Sequence, residues 1–407
     1  MASVGDRQTD HLLLLVGGNP LPNLVAARLL LRPGGVLHLI HSRDTAAVAA
    51  RLQSQLSSEC EIRLPHAVNE ARAADIFTKI RSYVQALEGS VGLHYTGGTK
   101  AMAVHAYRAV EDATRHTQSP PVFSYLDAAR FELRIDPDRY EKVLLSVKPS
   151  LEELVRLHGC YLQSRSPERE QALVLPNVAS ALAGTGPAGL KAWREWCDGT
   201  LRARAHLGRR WRPKTELCDI DLPFPDSACL QSAMNMLKSE LGLSAGATRL
   251  PLDPSKLTWP FDKQKPKYLC HWLDGIWLEH YVLAKIAAIK DEAGVHDSGM
   301  SLRTDNTRSS FNFEFDVAAM RGYQFFGISC TTSRNYAKSK LFEAYIRARQ
   351  LGGDEARMGL LSGSQRTRRL EREVTRSWDA EGKIKVFGPQ HLPQLRRHLK
   401  HWFATAA

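Results

Sequence analysis

The sequence lacks paired cysteines and long apolar runs. None of its seven cysteines belongs to a Cys-x-x-Cys pair, which argues against a structural zinc site and against a disulfide framework. The apolar segment HLLLLVGG near the amino terminus is too short to cross a bilayer, and no basic segment with a cleavage site precedes it. We therefore expect a protein of a reduced, cytoplasmic compartment that has no membrane anchor.

Internal repeats and low-complexity tracts are also missing, so neither a fibre nor extended disorder is expected. The 407 residues are 43% hydrophobic and 24% charged, which is typical of a globular chain with two or three domains. The formal net charge of +12 favours an acidic partner, and nucleic acid is the commonest one.

Short apolar runs alternate with amphipathic stretches from residue 11 to about residue 126. Each of the four runs, from HLLLLVGG to VGLHYTGG, is followed by a helical pattern, which predicts parallel strands covered on both faces. A closing hairpin follows, with its turn at Asp127 to Arg130. We predict an α/β protein in which residues 1–148 form a Rossmann-like domain.

The rest of the chain divides into two parts. Residues 149–260 are predicted to be a mostly helical connecting region that ends where prolines cluster. Residues 261–407 begin with the helix HWLDGIWLEHYVLAKIAAI, continue through two strands joined by the tight turn Arg321-Gly322, and add a long helix and a short strand. This order predicts a second α/β domain with its two strands adjacent.

A glycine-rich turn follows the fourth predicted strand, in the segment HYTGGTKAMA. Glycines at the carboxyl end of a parallel strand let backbone amides approach a ligand, and the next helix points its positive amino terminus at the same place. Thr96, Thr99 and Lys100 add two hydroxyls and a cation, which suits a phosphate. The spacing is neither that of a nucleotide hydrolase nor that of a dinucleotide binder. A tight turn with glycines for geometry alone remains the alternative.

Two further loops are predicted at the same edge of the sheet. The first strand ends in VGGNPLPN, which contains Gly17, Gly18 and Asn19, and the second strand ends in HSRDT. In an open parallel sheet, ligands bind beyond the carboxyl ends of the strands. Three such loops on one edge are more than turn chemistry requires.

The segments HYTGGTKAMA and GGNP, placed in a Rossmann-like domain, resemble the CARF (CRISPR-associated Rossmann fold) domains, which sense cyclic oligoadenylates in type III CRISPR antiviral defence. The resemblance implies an allosteric homodimer that binds one cyclic oligoadenylate, most often cyclic tetra-adenylate, across its two-fold axis. It also implies a nuclease at the carboxyl end of the chain. Carried over by position, the ligand contacts are Thr96, Gly97, Gly98, Thr99 and Lys100, with Gly18, Asn19 and Ser42 as weaker candidates.

The last third of the chain resembles the restriction-endonuclease-like PD-(D/E)xK nucleases that are joined to CARF domains. In those enzymes a helix supplies a glutamate, a first strand an aspartate, and a second strand Glu-x-Lys, and the acidic groups hold Mg²⁺ or Mn²⁺ against a phosphodiester. Here the helix offers Glu279 and the strand FNFEFDV offers Asp316. Alternation places Glu314 on the same strand face as Asp316, and two carboxylates on one face favour a cation between them.

The second strand departs from that pattern, because Ser329 and Thr331 stand where the family has the second glutamate and the lysine. Some nucleases of this class carry serine there and take a carboxylate from the following helix. Glu343 would then be a further metal ligand, with Lys338 or Lys340 as the cation. The alternative is a decayed site in a sensor that binds nucleic acid or a partner protein without cleaving it.

Two basic stretches, residues 202–214 and residues 363–373, offer phosphate contacts. Arg209, Arg210 and Arg212 surround Trp211, which suits a single strand with bases that stack, although such runs are also common on solvated surfaces. The sequence as a whole predicts a cyclic oligoadenylate-activated, metal-dependent nuclease of DNA or RNA. Degradation of the cyclic ligand by the amino-terminal domain itself is a third hypothesis. The catalytic candidates are Glu279, Asp316, Ser329, Thr331 and Lys338, and the metal-ligand candidates are Glu279, Asp316 and Glu343.

Overall fold

The computed structural model describes residues 7–64, 67–258, 266–309, 312–333, 337–378 and 380–406, and it describes only the backbone of residues 337, 339 and 340. The protein is a mixed α/β molecule with a parallel-sheet domain at the amino terminus, a helical connecting region and a second sheet domain at the carboxyl terminus. The predicted fold class is thereby confirmed. None of the described helices is long and apolar enough to cross a membrane.

The amino-terminal domain alternates strands and helices as the sequence pattern predicts. Its elements are β1 (Thr9–Leu15), α1 (Leu21–Leu30), β2 (Leu31–Ile40), α2 (Ala46–Leu56), β3 (Glu61–Arg63), α3 (Ala73–Gln85), β4 (Val91–His94), α4 (Lys100–Ala113), β5 (Val122–Asp127), β6 (Glu132–Ile135) and β7 (Arg139–Lys142). The strands form one sheet in the order β3-β2-β1-β4-β5-β6-β7. The first five in this order are parallel, and β6 and β7 close the sheet as antiparallel strands.

The connecting region contains short helices and two small antiparallel ladders. Its elements are α5 (Leu151–Leu157), α6 (Pro176–Gly184), α7 (Gly186–Trp196), α8 (Ala203–Ala205), β8 (His206–Leu207), β9 (Arg210–Trp211), α9 (Lys214–Cys218), β10 (Asp221–Pro223), α10 (Gln231–Glu240) and β11 (Arg249–Pro251). A capping box starts α5, in which the Ser150 hydroxyl accepts from Glu153 N and the Glu153 carboxylate accepts from Ser150 N. A π-helical turn over Cys197–Arg202 joins α7 to α8.

The carboxyl-terminal domain is built on a five-stranded sheet. Its elements are α11 (Pro266–His271), α12 (Trp277–Ala287), α13 (Lys290–Ala293), β12 (Val295–Arg303), β13 (Glu314–Arg321), β14 (Gln324–Thr331), α14 (Ala337–Gly352), β15 (Arg357–Ser362), α15 (Thr367–Trp378), β16 (Ile384–Phe387) and α16 (Leu395–Thr405). The strand order is β12-β13-β14-β15-β16. The first three strands are antiparallel, and β14, β15 and β16 are parallel.

One hydrophobic core joins the two sheet domains. The α1 face of the amino-terminal sheet and the α14 face of the carboxyl-terminal sheet belong to the same buried cluster, which includes Leu24, Tyr323 and Leu351. The helices of the connecting region pack instead against α12, α16 and the other face of the carboxyl-terminal sheet. Each fully buried leucine in such a cluster stabilises the fold by roughly 1.5–3 kcal/mol, so the three parts are held together by extensive burial.

Three strands of the two large sheets were not predicted from the sequence, and neither were the short strands β8 to β11 of the connecting region. The edge strand β7 is exposed at all four residues, β12 has glycine and polar residues within the sequence VHDSGMSLR, and β16 has only four residues. β7 and β12 lack the apolar pattern on which a strand prediction depends, and β16 is too short to stand out. The predicted domain boundary between residues 260 and 261 lies outside the described residues, and both boundaries stay predictions.

Candidate functional site

The loops after β1 and β4 meet at the carboxyl edge of the amino-terminal sheet. A methyl group added at Gly17 would lie 2.8 Å from Gly98 N, and one added at Gly97 would lie 2.1 Å from Leu15 O. These distances are too short for any side chain, so the two backbones can cross only as glycines. We call residues 17–19, 42–45 and 96–100 the glycine edge.

Packing accounts for three glycines of this edge but not for the fourth. Gly17 and Gly97 are fixed by the crossing of the loops, and Gly98 has φ +74°, which favours glycine. Gly18 is exposed, has no positive φ, and a methyl group added there would meet nothing within 4 Å. The missing side chain at Gly18 is therefore not explained by the fold of the described residues.

The polar residues of the glycine edge divide into internal and exposed ones. Thr96 Oγ1 accepts from Leu126 N at 2.6 Å, and Thr99 Oγ1 accepts from Met102 N at 3.2 Å to cap α4. Lys100 is exposed at the first turn of α4. Ser42 is buried, and its backbone N donates to Thr45 Oγ1 at 3.0 Å. Arg43, which the sequence reasoning missed, is exposed beside it and adds a second cation.

Two titratable side chains lie immediately below the glycine edge. His94 is fully buried on β4, with its Nδ1 3.1 Å from Ser124 Oγ, and burial lowers its pKa to about 3. Burial and the neighbouring Asp136 carboxylate raise the pKa of Tyr95 well above its usual range. Both groups are thus neutral near pH 7, and the positive charge at this edge comes from Lys100, Arg43 and the α4 amino terminus.

Asp316 in the carboxyl-terminal domain is buried and bonded to the end of β14. Its Oδ2 accepts from Ser329 Oγ at 3.0 Å and from Cys330 N at 2.6 Å. The backbone pairing of β13 with β14 ends at Val317 and Ile328. Beyond that point the Asp316 carboxylate, and not the backbone of β13, accepts from Cys330 N. The structure therefore brings two of the predicted catalytic residues, Asp316 and Ser329, into direct contact.

A cavity of about 590 Å³ opens beside this contact. Glu279, Cys330 and Thr331 line it, as do Ser362 and Gly363 at the end of β15. Asp316 itself is bonded to Cys330 N at the wall of the cavity. Glu279 and Thr331, which were predicted from the sequence, thus face one space, with Asp316 and Ser329 next to it.

The connecting region forms the opposite wall of the cavity, which the sequence reasoning missed. Arg194 on α7 donates to Asp198, to Asp274 and, at 3.0 Å, to Thr332 Oγ1. Arg202 donates to the same Asp274 carboxylate at 2.8 Å. Asp274 lies in a π-helical turn, Trp272–Ile276, directly before α12, and such turns are frequent at functional sites. This network ties the connecting region to the strand end beside Thr331.

The remaining predicted residues belong to α14. Lys338 is half exposed on α14 and forms an ion pair with Glu373 of α15. Glu343 is exposed on α14, whose buried residues include Leu341 and Tyr345. The side chain of Lys340 lies outside the described residues. Their predicted roles stay predictions.

Glu314 and Asp316 make separate contacts. Glu314 is exposed and pairs with Arg303 of β12 at 2.8 Å, whereas Asp316 bonds to β14. The charge of Glu314 is therefore balanced by a guanidinium.

The acidic residues offer a small donor set for a divalent ion. Within the described residues no three His, Cys, Asp or Glu side chains come together as metal ligands. Asp316 and Glu279 nevertheless supply carboxylate oxygens at and beside the cavity wall. Mg²⁺ commonly keeps several waters and binds through one or two carboxylates plus substrate phosphates, so this donor set is compatible with a hydrated ion.

The glycine edge touches the carboxyl-terminal domain. Asn19 Oδ1 accepts from Leu21 N at 3.0 Å, which fixes the amide. A methyl group added at Gly353, in the turn between α14 and β15, would lie 2.5 Å from Asn19 Nδ2. A predicted ligand residue is thus in contact with the helix and strand that lead to the cavity.

Several known proteins resemble this chain in sequence or in fold. Residues 266–406 match the family described as Card1-like, endonuclease domain. Protein VC1899 from Vibrio cholerae has 18% identity and a TM-score of 0.68, and 98% of each chain is covered. Can2 from Sulfobacillus thermosulfidooxidans in complex with cyclic tetra-adenylate has 15% identity and a TM-score of 0.66, again with 98% of each chain covered.

A third solved structure is similar over part of its length. It is a type III CRISPR defence DNA nuclease activated by cyclic oligoadenylate, with 16% identity and a TM-score of 0.52, covering 87% of this chain and 45% of that one. No curated protein matches the sequence. At these identities the solved structures show a common fold. The resemblance to a CARF domain joined to a nuclease is confirmed: residues 266–406 match the Card1-like endonuclease family, and the chain shares its fold with the solved structures.

Proposed function

We propose that this protein is a nuclease of type III CRISPR antiviral defence that is activated by cyclic oligoadenylate. The observation that carries the proposal is the close approach of the loops after β1 and β4, where a methyl group added at Gly17 would lie 2.8 Å from Gly98 N, in a chain whose residues 266–406 match a Card1-like endonuclease domain. The crossing places exposed backbone and Lys100 at the amino terminus of α4, which suits a phosphate. The cyclic tetra-adenylate bound to Can2 supports the choice of ligand.

The ligand would lie on the glycine edge. Gly18, Gly97 and Gly98 would let its phosphates approach the backbone, while Thr96, Thr99 and Lys100 would contact it through side chains. Asn19 would contact it beside Gly18, and Ser42 would act by shaping its loop. A homodimer with one ring across its two-fold axis, and the cytoplasmic location, stay predictions.

Cleavage would take place in the cavity. Asp316 and Glu279 are the residues that would hold Mg²⁺ or Mn²⁺. Such an ion polarises a phosphate oxygen and lowers the pKa of a bound water. Ser329 donates to Asp316 Oδ2 and so orients that carboxylate. Thr331, which stands where the related motif has lysine, lines the cavity.

The activating signal would pass through the contact between Asn19 and Gly353. A ligand shifts an equilibrium only by its different affinity for two states, so a ring that moves Asn19 would favour one position of the α14–β15 turn. The shared core between the two sheet domains supports a direct route within one chain.

The experiment is a cleavage assay on supercoiled plasmid, single-stranded DNA and single-stranded RNA. Each substrate is incubated with Mg²⁺ or Mn²⁺, with and without cyclic tetra-adenylate or cyclic hexa-adenylate. We expect cleavage only when an ion and one of the rings are both present. Cleavage that ignores the ring would contradict the activation, and loss of the ring during the assay would reveal degradation by the amino-terminal domain.

A second candidate function is a sensor that binds nucleic acid or a protein without cleaving it. The observation that favours it is Ser329 at the motif glutamate position, with its hydroxyl bonded to Asp316. No cleavage by a protein that binds a ring would select this candidate.

The Ser329→Glu variant separates the two candidates by its stability. A second carboxylate beside buried Asp316 should lower the melting temperature in EDTA, because like charges and overpacking each destabilise a core, the latter by about 1–3 kcal/mol. If the site accepts an ion, Mn²⁺ should raise the melting temperature of the variant more than that of the wild type. An equal response of both proteins to Mn²⁺ would favour the sensor.

A further inference from the structure

We propose that the β8–β9 hairpin of the connecting region binds a single nucleic-acid strand and leads it into the cavity. The inference rests on the proposed function, because it takes the cavity as the place of cleavage. It assigns a role to a part of the chain outside the matched endonuclease domain, and it names the substrate class as a strand with unstacked bases.

The hairpin carries unpaired positive charge. Residues 199–215 contain five arginines and one lysine but no aspartate or glutamate. Arg212 pairs with Glu216 at 2.8 Å, whereas Arg204, Arg209 and Arg210 are exposed and make no ion pair within the described residues. Three cations without counter-charges form a surface that phosphates would neutralise.

The hairpin also presents apolar groups between these cations. Leu207, at the end of β8, is 61% exposed, the highest value among the large hydrophobic residues that the structure describes. The Trp211 ring is half buried and lies 4.0 Å from the His206 ring. Side chains of this kind stack on bases or insert between them.

A hydrogen bond places the hairpin at the cavity. Trp211 Nε1 donates to His271 Nδ1 at 3.2 Å, and His271 lines the cavity together with Glu279 and Thr331. Arg202, three residues before α8 ends, lines the same cavity. The base of the hairpin therefore contacts the cavity wall, and a strand bound along the hairpin would reach the cavity directly.

The size of the cavity favours a single strand over a duplex. Its volume of about 590 Å³ is within the range of a small-molecule pocket, roughly 300–1,000 Å³. A separate nucleotide fits such a space, whereas a base pair inside a duplex would first have to be opened. The arginines on the hairpin would hold the nucleic-acid strand beside the opening of the cavity.

The test compares two variants that lose the same charge. The first replaces Arg204, Arg209 and Arg210 with alanine, and the control replaces Arg139, Lys142 and Lys148, which are exposed at and just after the far edge of the amino-terminal sheet. Fluorescence anisotropy measures binding in EDTA at several salt concentrations. The labelled ligands are a 20-nucleotide dT strand, a 20-nucleotide rU strand and a 20-base-pair DNA duplex. EDTA prevents cleavage, so the readout does not depend on nuclease activity.

We expect the hairpin variant to bind the single strands at least about tenfold more weakly than the control does. The variant no longer neutralises three phosphates, and each contributes about −0.7 to the slope of log K against log salt for a single strand. The slope should therefore become shallower by about 2. Leu207→Ser should weaken single-strand binding without changing this slope. All altered side chains are exposed, so melting temperatures should stay at the wild-type value.

Each other outcome overturns the inference. Hairpin and control variants that bind alike would show a general charge effect. An equal loss for duplex and single strands would remove the assignment to unstacked bases. The proposed function fails separately, if the protein binds the strands as expected but never cleaves them with any ring.

Discussion

The glycine edge and the cleavage site differ in the groups from which they are built. At the glycine edge the decisive contacts are between backbones. The Gly97 backbone lies so close to Leu15 that a methyl group added at Gly97 would be 2.1 Å from Leu15 O. At the cleavage site they are between side chains and strand ends, such as Asp316 with Ser329 and Cys330. A backbone crossing admits only glycine, whereas a side-chain site can exchange residues while the strands keep their places.

This difference explains why one motif is intact and the other is altered. Replacing Gly97 would separate two loops and the strands behind them. Replacing a motif glutamate by Ser329 leaves the β13–β14 pairing unchanged up to Val317 and Ile328, and the serine gains a hydrogen bond to Asp316. The fold therefore constrains the first motif strongly and the second weakly.

The largest expected effect comes from Asp316→Asn at the cleavage site. The amide keeps the shape and one acceptor for Cys330 N but loses the charge that would hold an ion, which is worth several kcal/mol. We expect ring-activated cleavage to fall at least about 100-fold, since each 1.36 kcal/mol is tenfold. Ring affinity, measured by calorimetry, should be unchanged because the glycine edge is not altered.

Glu292→Gln is the control for this variant. Glu292 is an exposed carboxylate of α13 that pairs with Arg396 and Lys400, away from the cavity, and its loss should leave cleavage near the wild-type rate. If Asp316→Asn also cleaves at the wild-type rate, Asp316 is not catalytic and the comparison between the two sites fails.

A smaller effect is expected from Gly18→Ala at the glycine edge. The added methyl group meets nothing within 4 Å, so stability should not change. A bound ring that lies against Gly18 would clash with it, and we expect ring affinity to fall by about tenfold, which corresponds to about 1.4 kcal/mol.

Gly246→Ala is the matched variant for Gly18→Ala. It adds a methyl group in open space to an exposed loop of the connecting region, and ring affinity should stay the same. Equal affinities for both variants would mean that the ligand does not approach Gly18.

Much of the fold follows from the sequence because its strongest patterns are local. The four strand-helix units and the hairpin of the amino-terminal domain are predicted by buried apolar runs, such as Leu12 to Leu15, which are exposed by 1% or less. The strands β7 and β12 were missed because their pairing partners, and not their own patterns, make them strands.

The candidate sites are predictable only where the ends of parallel strands in one sheet supply them. The pairing of Gly17 with Gly98 could be expected, since β1 and β4 end at one edge of a parallel sheet. The wall that Arg194 adds to the cavity could not, because Arg194 and Thr332 are 138 residues apart and neither belongs to a motif. The only local hint is Asp274, in the helix that carries Glu279.

The smallest expected effect concerns the contact that joins the two regions. Gly353→Ala and Gly382→Ala both place alanine at a positive φ, +65° and +73°, which costs roughly 1–2 kcal/mol. Only the methyl group at Gly353 meets Asn19 Nδ2, at 2.5 Å, while the one at Gly382 meets nothing within 4 Å. The two variants should therefore lose similar stability but differ in how the ring activates them.

We expect Gly353→Ala to lower the ratio of cleavage rates with and without ring by about 2-fold, which corresponds to a coupling change at the lower end of the usual range of about 0.5–2 kcal/mol. Gly382→Ala should keep the wild-type ratio. The melting temperatures of both variants, measured together with the cleavage rates, show whether the two substitutions destabilise the protein equally. A similar loss of activation in both variants would mean that general destabilisation, and not the Asn19 contact, controls the response. The glycine edge and the cavity would then communicate by another route, such as the core around Tyr323 that both sheet domains share.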